Sequence, residues 1–448
     1  MLHSLEQLRD GSLAGSRRIK LACGLQDFPV DLFALAETLE ILDLSGNQLC
    51  SLPDDLPRLK RLRIIFCSDN QFETLPAVLG QCPQLEMVGF KANRIRYVPS
   101  KALPPKLRWL ILTDNHIESL PEQIGQCQSL QKLMLAGNQL RQLPAGLARC
   151  RQLELLRIAA NQLDTLPDWL FALPRLSWLA YAGNPCSPSI SMAAETPEID
   201  WGTLQFTRQL GEGASGIIHQ ATWQTDPVQD VAVKLFKGEV TSDGFPLSEM
   251  AACIQAGPHP NLIPVLGRIA GHPENTQGLM LSLIDPDYCN LAGPPSLESC
   301  TRDVYPETSR FNLSQLLRIA SGIASATAHL HSRGILHGDL YGHNILHNPS
   351  GTALLGDFGA ASFFHEAAPC YAKDLQRLEA RAFACLLEEL LERCTEQSDP
   401  VTASLHELQQ ACAHEQAECR PLFQEIARTL TRLEAQYQST RQAYHGPH

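Results

Sequence analysis

One phrase recurs through the first half of the chain and constrains its fold more than any other feature. A unit of the form L-x-x-L-x-L-x-x-N begins at Leu39, Leu62, Leu85, Leu107, Leu130, Leu153 and Leu176, at steps of 23, 23, 22, 23, 23 and 23 residues. Asn47, Asn70, Asn93, Asn115, Asn138, Asn161 and Asn184 each fall eight residues into a unit, and Leu-Pro or Val-Pro follows six of them. One such unit cannot bury its own apolar face, so the units must stack. The Leu positions then fill a continuous core. The Asn at each turn is expected to satisfy backbone groups buried between coils. Cys82, Cys127 and Cys150 occupy the slot held elsewhere by Leu59 and Leu173, twenty residues after a repeat start. Their phase marks them as small core residues rather than metal ligands.

These residues resemble the leucine-rich repeat family over roughly residues 17–190, with the degenerate "IKLACGLQDFP" as an N-terminal cap. The resemblance implies an α/β solenoid, a horseshoe whose short strands line a concave face with alternate side chains pointing outward. Three outward columns result. The first holds Ile41, Ile64, Met87, Trp109, Lys132, Leu155 and Trp178; the second includes Phe66, Ile111, Met134 and Arg157; the third is small or polar. An exposed apolar stripe of this kind suits a partner, since aromatic residues and Met are enriched at interfaces. Ile41, Ile64, Phe66, Met87, Trp109, Ile111, Met134, Leu155 and Trp178 are therefore expected to bind a protein partner or substrate. The alternative is that the chain's own second domain covers them.

The net charge of −12 over 448 residues argues against a general nucleic-acid binder. Fifteen Cys stand beside a start, "MLHSLEQLRDGSL", that lacks an apolar signal core. No apolar run approaches the ~18–20 residues that span a bilayer, so no transmembrane segment is expected. A reducing, cytoplasmic setting with free thiols fits these features. The expected organisation is an N-terminal segment at 1–16, repeats at 17–184, a cap and linker at 185–200, a second domain at 201–435 and a polar tail at 436–448.

The second half follows another grammar. "LQFTRQLGEGASGIIHQATW" alternates apolar and polar residues around Gly211, Gly213 and Gly216, and its β-branched continuation favours a glycine-rich hairpin over a strand-to-helix turn. Glycines there let backbone N–H groups approach phosphates. "VAVK" ends at Lys234, eighteen residues past Gly216. "PLSEMAACIQAG" has helical spacing with Glu249 in its first turn, and a long helix marked by Leu316, Ile319, Ile323 and Leu330 follows. "HGDLYGHN" then carries Asp339 and Asn344, and "ALLGDFGAA" supplies Asp357 thirteen residues past Asn344.

Together these motifs resemble the eukaryotic-type protein kinase family over roughly residues 202–435, with "ECRPLFQEIARTL" as its last helical segment. The resemblance implies an α+β two-lobed domain that uses ATP and Mg²⁺. The backbone of Gly211, Glu212, Gly213, Ala214 and Gly216 would cover the phosphates. Lys234, oriented by Glu249, would hold them, with Glu239 the alternative partner of the lysine. Asp339 would accept the substrate hydroxyl proton, and Asn344 and Asp357 would bind Mg²⁺. Ile218 and Ala232 would cover the adenine, with Leu346 beneath it. Among the run His329, His331, His337, His343 and His347, two members fit structural positions of the family's loop, which leaves little for a metal.

Four departures stand out. Gly338 replaces an Arg that binds an activation-loop phosphate in many family members. Tyr341 replaces a Lys that often assists at the transferred phosphoryl group. The segment after Asp357 is short. Ala-Pro-Glu is missing, the nearest residues being "EAAPCYAKD", so the ion pair that Arg420 makes with that Glu in the family is not expected here. The leading expectation is phosphoryl transfer to Ser or Thr hydroxyls of proteins. A catalytically silent scaffold and a small-molecule phosphotransferase of the aminoglycoside or choline type remain as alternatives.

Overall fold

The computed structural model describes residues 2–188, 196–238, 240, 241, 243–364 and 369–444. They form two compact units. The first comprises Met1–Leu176, Asn184–Cys186 and Val240–Asp243; the second comprises Ser177–Gly183, Ser187–Glu239 and Gly244–His448.

The first unit opens with a single helical turn, α1 (Leu5–Arg9), closed by a capping box between Ser4 and Gln7. Strands β1 (Arg18–Lys20), β2 (Ile41–Asp43), β3 (Ile64–Phe66), β4 (Met87–Gly89), β5 (Trp109–Ile111), β6 (Lys132–Met134) and β7 (Leu155–Arg157) pair in sequence order and in parallel. Their register places each residue beside the equivalent residue of the next repeat. After each Pro a 3₁₀ turn carries the chain across the opposite face, as at Glu122–Gln126 and Ala145–Arg149. The Asn ladder works as the spacing implies. Asn138 accepts from Ile117 N at 3.0 Å and donates to Leu112 O and Leu135 O, both at 2.9 Å. Asn47, Asn70, Asn93, Asn115, Asn161 and Asn184 are buried and bonded in the same manner. Cys82, Cys127 and Cys150 are buried, and burial pushes their thiols up to about 11, 12 and 11, which makes them unreactive. A distant stretch of chain also belongs to this unit. The Nε of Arg157, itself 2% exposed, donates to Asp243 Oδ1 at 2.6 Å. Beside it Gly137 has φ +69°, and a Cβ there would lie 2.9 Å from Val240 Cγ1.

The second unit contains β8 (Trp178–Ala180), which ends the repeat pattern in sequence, and a six-stranded sheet. Its strands are β9 (Glu198–Asp200), β10 (Leu204–Glu212), β11 (Gly216–Trp223), β12 (Gln229–Phe236), β13 (Val265–Ala270) and β14 (Gly278–Ser282), in the order β10-β11-β12-β14-β13-β9. All neighbours are antiparallel except β9 and β13. Helix α2 (Pro246–Ala256) starts on Pro246, stops at Gly257, and packs Met250 against Phe236 and Leu279. The helical part contains α3 (Leu313–Ser332), α4 (Pro369–Glu392), α5 (Pro400–Cys412) and α6 (Phe423–Tyr444). Asn312 and Gln315 form a capping box at the start of α3. Five short strands frame the loops between these parts. They are β15 (Cys289–Asn290) with β17 (Ile345–His347) and β18 (Ala353–Leu355), and β16 (Ile335–Leu336) with β19 (Ser362–Phe363). An α/β repeat solenoid and an α+β two-lobed kinase-like unit are thus both present.

Candidate active site

The glycine-rich stretch is a hairpin. β10 pairs antiparallel with β11, and Gly213 N donates to Gly216 O at 2.9 Å to close the turn. Glu212, Gly213 and Ala214 are exposed at its tip, Gly211 is half-buried and Gly216 is buried. The Glu212 carboxylate accepts from Lys237 Nζ at 2.7 Å, which holds it below the usual carboxylate range.

Lys234 ends β12 pointing toward α2, where it forms an ion pair with Glu249. Both are largely withdrawn from solvent, with side-chain exposures of 13% and 2%. Burial alone would disfavour the ammonium. The Glu249 and Asp357 carboxylates outweigh it, and the Lys234 pKa rises. Glu239 lies outside the described residues. A cavity is lined by Ile218, Lys234, Glu249, Cys253, Leu281 and Asp357, while Ala232 and Leu346 are not in its wall. Ala232 is 7% exposed in the middle of β12, opposite Gln220 and Leu281, and Leu346 is half-buried in β17.

Asp339 and Asn344 sit in the loop between β16 and β17. Asn344 Nδ2 donates to Asp339 O at 2.9 Å and to Asp339 Oδ2 at 2.8 Å. Asp339 is half-buried. Asp357 follows β18 in the left-handed region at φ +51°, exposed, with Oδ1 accepting from Gly359 N at 3.1 Å. His337 Nε2 donates to Gly356 O at 2.9 Å, and its ring lies tilted against that of Phe358 with centroids 5.2 Å apart, which ties the two loops together. A carboxylate and an amide oxygen are hard donors that suit Mg²⁺. Among the described residues no group of three or more His, Cys, Asp or Glu could hold a metal unaided.

Supports of the loop lie far away in sequence. Glu379 of α4 is 2% exposed and accepts from His331 Nε2 at 2.7 Å, His337 N at 3.3 Å and Gly338 N at 2.7 Å. Burial opposes its charge, but these partners hold it below the usual carboxylate range. Sequence reasoning missed Glu379. Its signal was an acid set among Leu375, Leu378, Ala382 and Phe383 on the apolar side of α4, where a charge needs a partner. Asp303, also missed, accepts from His343 N at 3.0 Å and faces His343 Nδ1 at 2.7 Å. Arg420 is buried and donates to His414 O at 2.8 Å and Arg377 O at 3.3 Å; desolvation, with Arg381 nearby, lowers it to about 10. Residues 366–368 of "EAAPCYAKD" lie outside the described residues.

The repeat face differs from the expected open stripe. Ile64, Met87, Met134, Leu155 and Trp178 are 4%, 1%, 8%, 3% and 1% exposed. The register sets like beside like, so Ile41, Ile64, Met87 and Trp109 are direct cross-strand neighbours. Trp178 is covered by Tyr341, whose ring stacks on it at 4.1 Å and 8°. Ile41, Phe66, Trp109 and Ile111 keep partial exposure. Lys132 Nζ lies 4.2 Å over the Trp109 ring, and Trp109 Nε1 approaches Met134 Sδ at 3.4 Å.

A hairpin over a Lys–Glu pair, with Asp339, Asn344 and Asp357 gathered opposite, defines a protein kinase domain. The protein tyrosine and serine/threonine kinase family model matches residues 204–399, and leucine-rich repeat models match residues 38–59 and 105–163. The chain thus carries leucine-rich repeats followed by a protein kinase domain. It is 28% identical over 161 residues to the serine/threonine-protein kinase PITSLRE of Drosophila melanogaster, covering 35% of this chain and 16% of that protein. It is 29% identical over 167 residues to the probable serine/threonine-protein kinase gdt4 of Dictyostelium discoideum, covering 36% and 9%. Similarity to the human PH domain leucine-rich repeat-containing protein phosphatase 1 is 35% over 85 residues, covering 19% and 5%. The chain therefore spans less than a quarter of the length of these relatives. No described helix is long and apolar enough to cross a membrane.

Proposed function

We propose that the chain transfers the γ-phosphoryl group of ATP to Ser or Thr hydroxyls of protein substrates in the cytoplasm. The observation that carries this reading is the buried Lys234–Glu249 pair with Asp357 acting on the same ammonium. A buried lysine held charged and aimed into a cavity suits an anionic ligand. In this reading Lys234 binds the α/β-phosphates and Glu249 fixes its direction. The backbone of Gly211, Glu212, Gly213, Ala214 and Gly216, exposed at its tip, lies over the phosphates, and Ile218 in the cavity wall faces the base, with Ala232 and Leu346 flanking it in this reading. Asp339 receives the hydroxyl proton, oriented by Asn344, which grips both its backbone and its carboxylate. Asn344 and Asp357 would hold Mg²⁺, which supplies charge neutralisation at the phosphate oxygens.

The repeats supply a protein-binding face in the same reading. Ile41, Phe66, Trp109 and Ile111 offer accessible apolar surface, while the buried Ile64, Met87, Met134 and Leu155 pack in the same columns, and Trp178, stacked on Tyr341, is withdrawn from that face. Trp109→Glu with Phe66→Glu is expected to abolish capture of the phosphorylated substrate while the chain stays folded. Capture that survives both changes would place the partner elsewhere.

Incubating the full chain with γ-labelled ATP, Mg²⁺ and casein, beside Asp339→Ala, tests the reaction. Label on protein that drops by ~10³-fold or more in the variant is the expected result, because the acid/base group and its orientation are both lost. Nucleotide binding with no transfer points to a silent scaffold. Consumption of ATP only with aminoglycosides or small alcohols points to a small-molecule phosphotransferase.

A further inference from the structure

Two of the four departures from the family pattern, Gly338 and Tyr341, meet the same stretch of chain, Ser177–Gly183. Gly338 has φ +74°, and a Cβ there would lie 2.6 Å from both Leu179 O and Ala360 O. No side chain fits that gap, least of all Arg, and the left-handed backbone disfavours any residue but glycine. Tyr341 presents its ring face to Trp178 in a parallel stack. Trp178 Nε1 also donates to Leu340 O at 3.1 Å. The stretch then reaches the chain that follows Asp357. Tyr181 N and Ala182 N donate to Ser362 Oγ at 2.9 and 3.1 Å, and Tyr181 OH donates to Phe363 O at 2.8 Å. All of these groups are buried, so each bond replaces one to water and is costly to leave unmade.

The loop bearing Asp339 and the strand after Asp357 are thereby joined through a third segment. Asp339 stays half-buried and Asp357 exposed beside it, so the segment braces the two loops without capping their carboxylates. We propose that Trp178 and Tyr181 are positioning residues for phosphoryl transfer: they fix the loop of Asp339 and the start of the post-Asp357 segment, doing with a built-in strand what a longer, phosphate-ordered segment would otherwise do. Gly338 and Tyr341 are the receptor side of that brace rather than signs of decay. The inference rests on the phosphoryl-transfer reading.

The test uses the full chain with Mg·ATP and casein, and compares Trp178→Ala, Trp178→Phe and Tyr181→Phe, with Asp339→Ala as the blank. Trp178→Ala is expected to lower kcat by ~10-fold or more and to leave the KM for ATP within ~2-fold, since misplacing a catalytic group costs rate rather than nucleotide affinity. Trp178→Phe keeps a ring on Tyr341 and should recover most of the loss. Tyr181→Phe, which removes one hydroxyl, should lose a few-fold in kcat. A folded Trp178→Ala with wild-type kcat overturns the proposal, and so does a faster one, which would make the strand an obstruction. If Trp178→Ala does not fold, wild-type kcat in both Trp178→Phe and Tyr181→Phe overturns it. If the wild-type chain shows no Asp339-dependent transfer, the phosphoryl-transfer reading fails by itself. Hydrogen exchange at 338–341 and 360–364 then decides the brace: faster exchange in Tyr181→Phe supports it, and unchanged exchange overturns it.

Discussion

The two units solve one problem, the buried polar group, in opposite ways. The repeats use a single residue type seven times, and each Asn bonds only its own coil and the one before it. The kinase unit uses one Glu379 carboxylate to hold His331, His337 and Gly338 from 41 to 48 residues away. A local, repeated solution divides the risk among many equal parts. A distant, single solution concentrates it.

The largest expected effect follows from that concentration. Glu379→Ala leaves His331 and two buried N–H groups without their acceptor and should cost ~3–5 kcal/mol in urea unfolding of the second unit. A loss below 1 kcal/mol would mean the carboxylate is dispensable. Asn138→Ala should cost ~1–3 kcal/mol, chiefly from the orphaned Ile117 N–H, since Leu112 O and Leu135 O keep donors from Asn115 and Asn161. Hydrogen exchange should localise its damage to residues 112–140, because repeats couple to nearest neighbours. If α3 loses protection together with that stretch, the contrast between the units is false. Asp243→Asn weakens a pair in which Arg157 is buried but Asp243 is partly exposed, and should cost ~1–2 kcal/mol. This pair joins the repeats to a residue 86 positions away, so it tests whether distance by itself predicts cost.

The smallest effect is a pH slope. Burial, with Asp303 nearby, pushes Glu389 up to about 7, although Arg302 bonds it at 2.8 Å. Its folded pKa lies above the ordinary 4.5, so the folded state binds the extra proton in that window. The stability from this group is complete below pH 4.5 and is lost as pH rises to 7. Glu389→Gln should therefore flatten the fall in unfolding free energy between pH 5 and pH 7 by an amount on the order of 1 kcal/mol, read from urea unfolding at each pH. An unchanged slope would assign the titration elsewhere.

How much could be read beforehand follows the same division. The repeat period, the core slots of Cys82, Cys127 and Cys150, and the duty of each Asn were legible, because periodicity repeats the evidence. The glycine-rich hairpin, the helix carrying Glu249 and the helix before Asp339 were legible because a motif of fixed spacing tags them. Glu379, Asp303, Ser362 and Tyr181 carry no such tag; each is one ordinary residue whose partner is set by tertiary packing. The apolar columns of the concave face were visible in the pattern. Their closure was not, since it depends on how tightly Ile64 and Met87 meet across a curved sheet and on which ring lies over Trp178.

The Trp178–Tyr341 stack also bears on how such a chain can change length. A duplicated or deleted 23-residue unit between β2 and β5 leaves the sequence distance from Trp178 to Tyr341 untouched. Copy number there is free to drift, as in any tandem array. The terminal unit has no such freedom, for its Trp is read by a partner 163 residues downstream in the same chain. A change in repeat number upstream leaves this contact intact, whereas loss of the last unit removes the ring that Tyr341 stacks on.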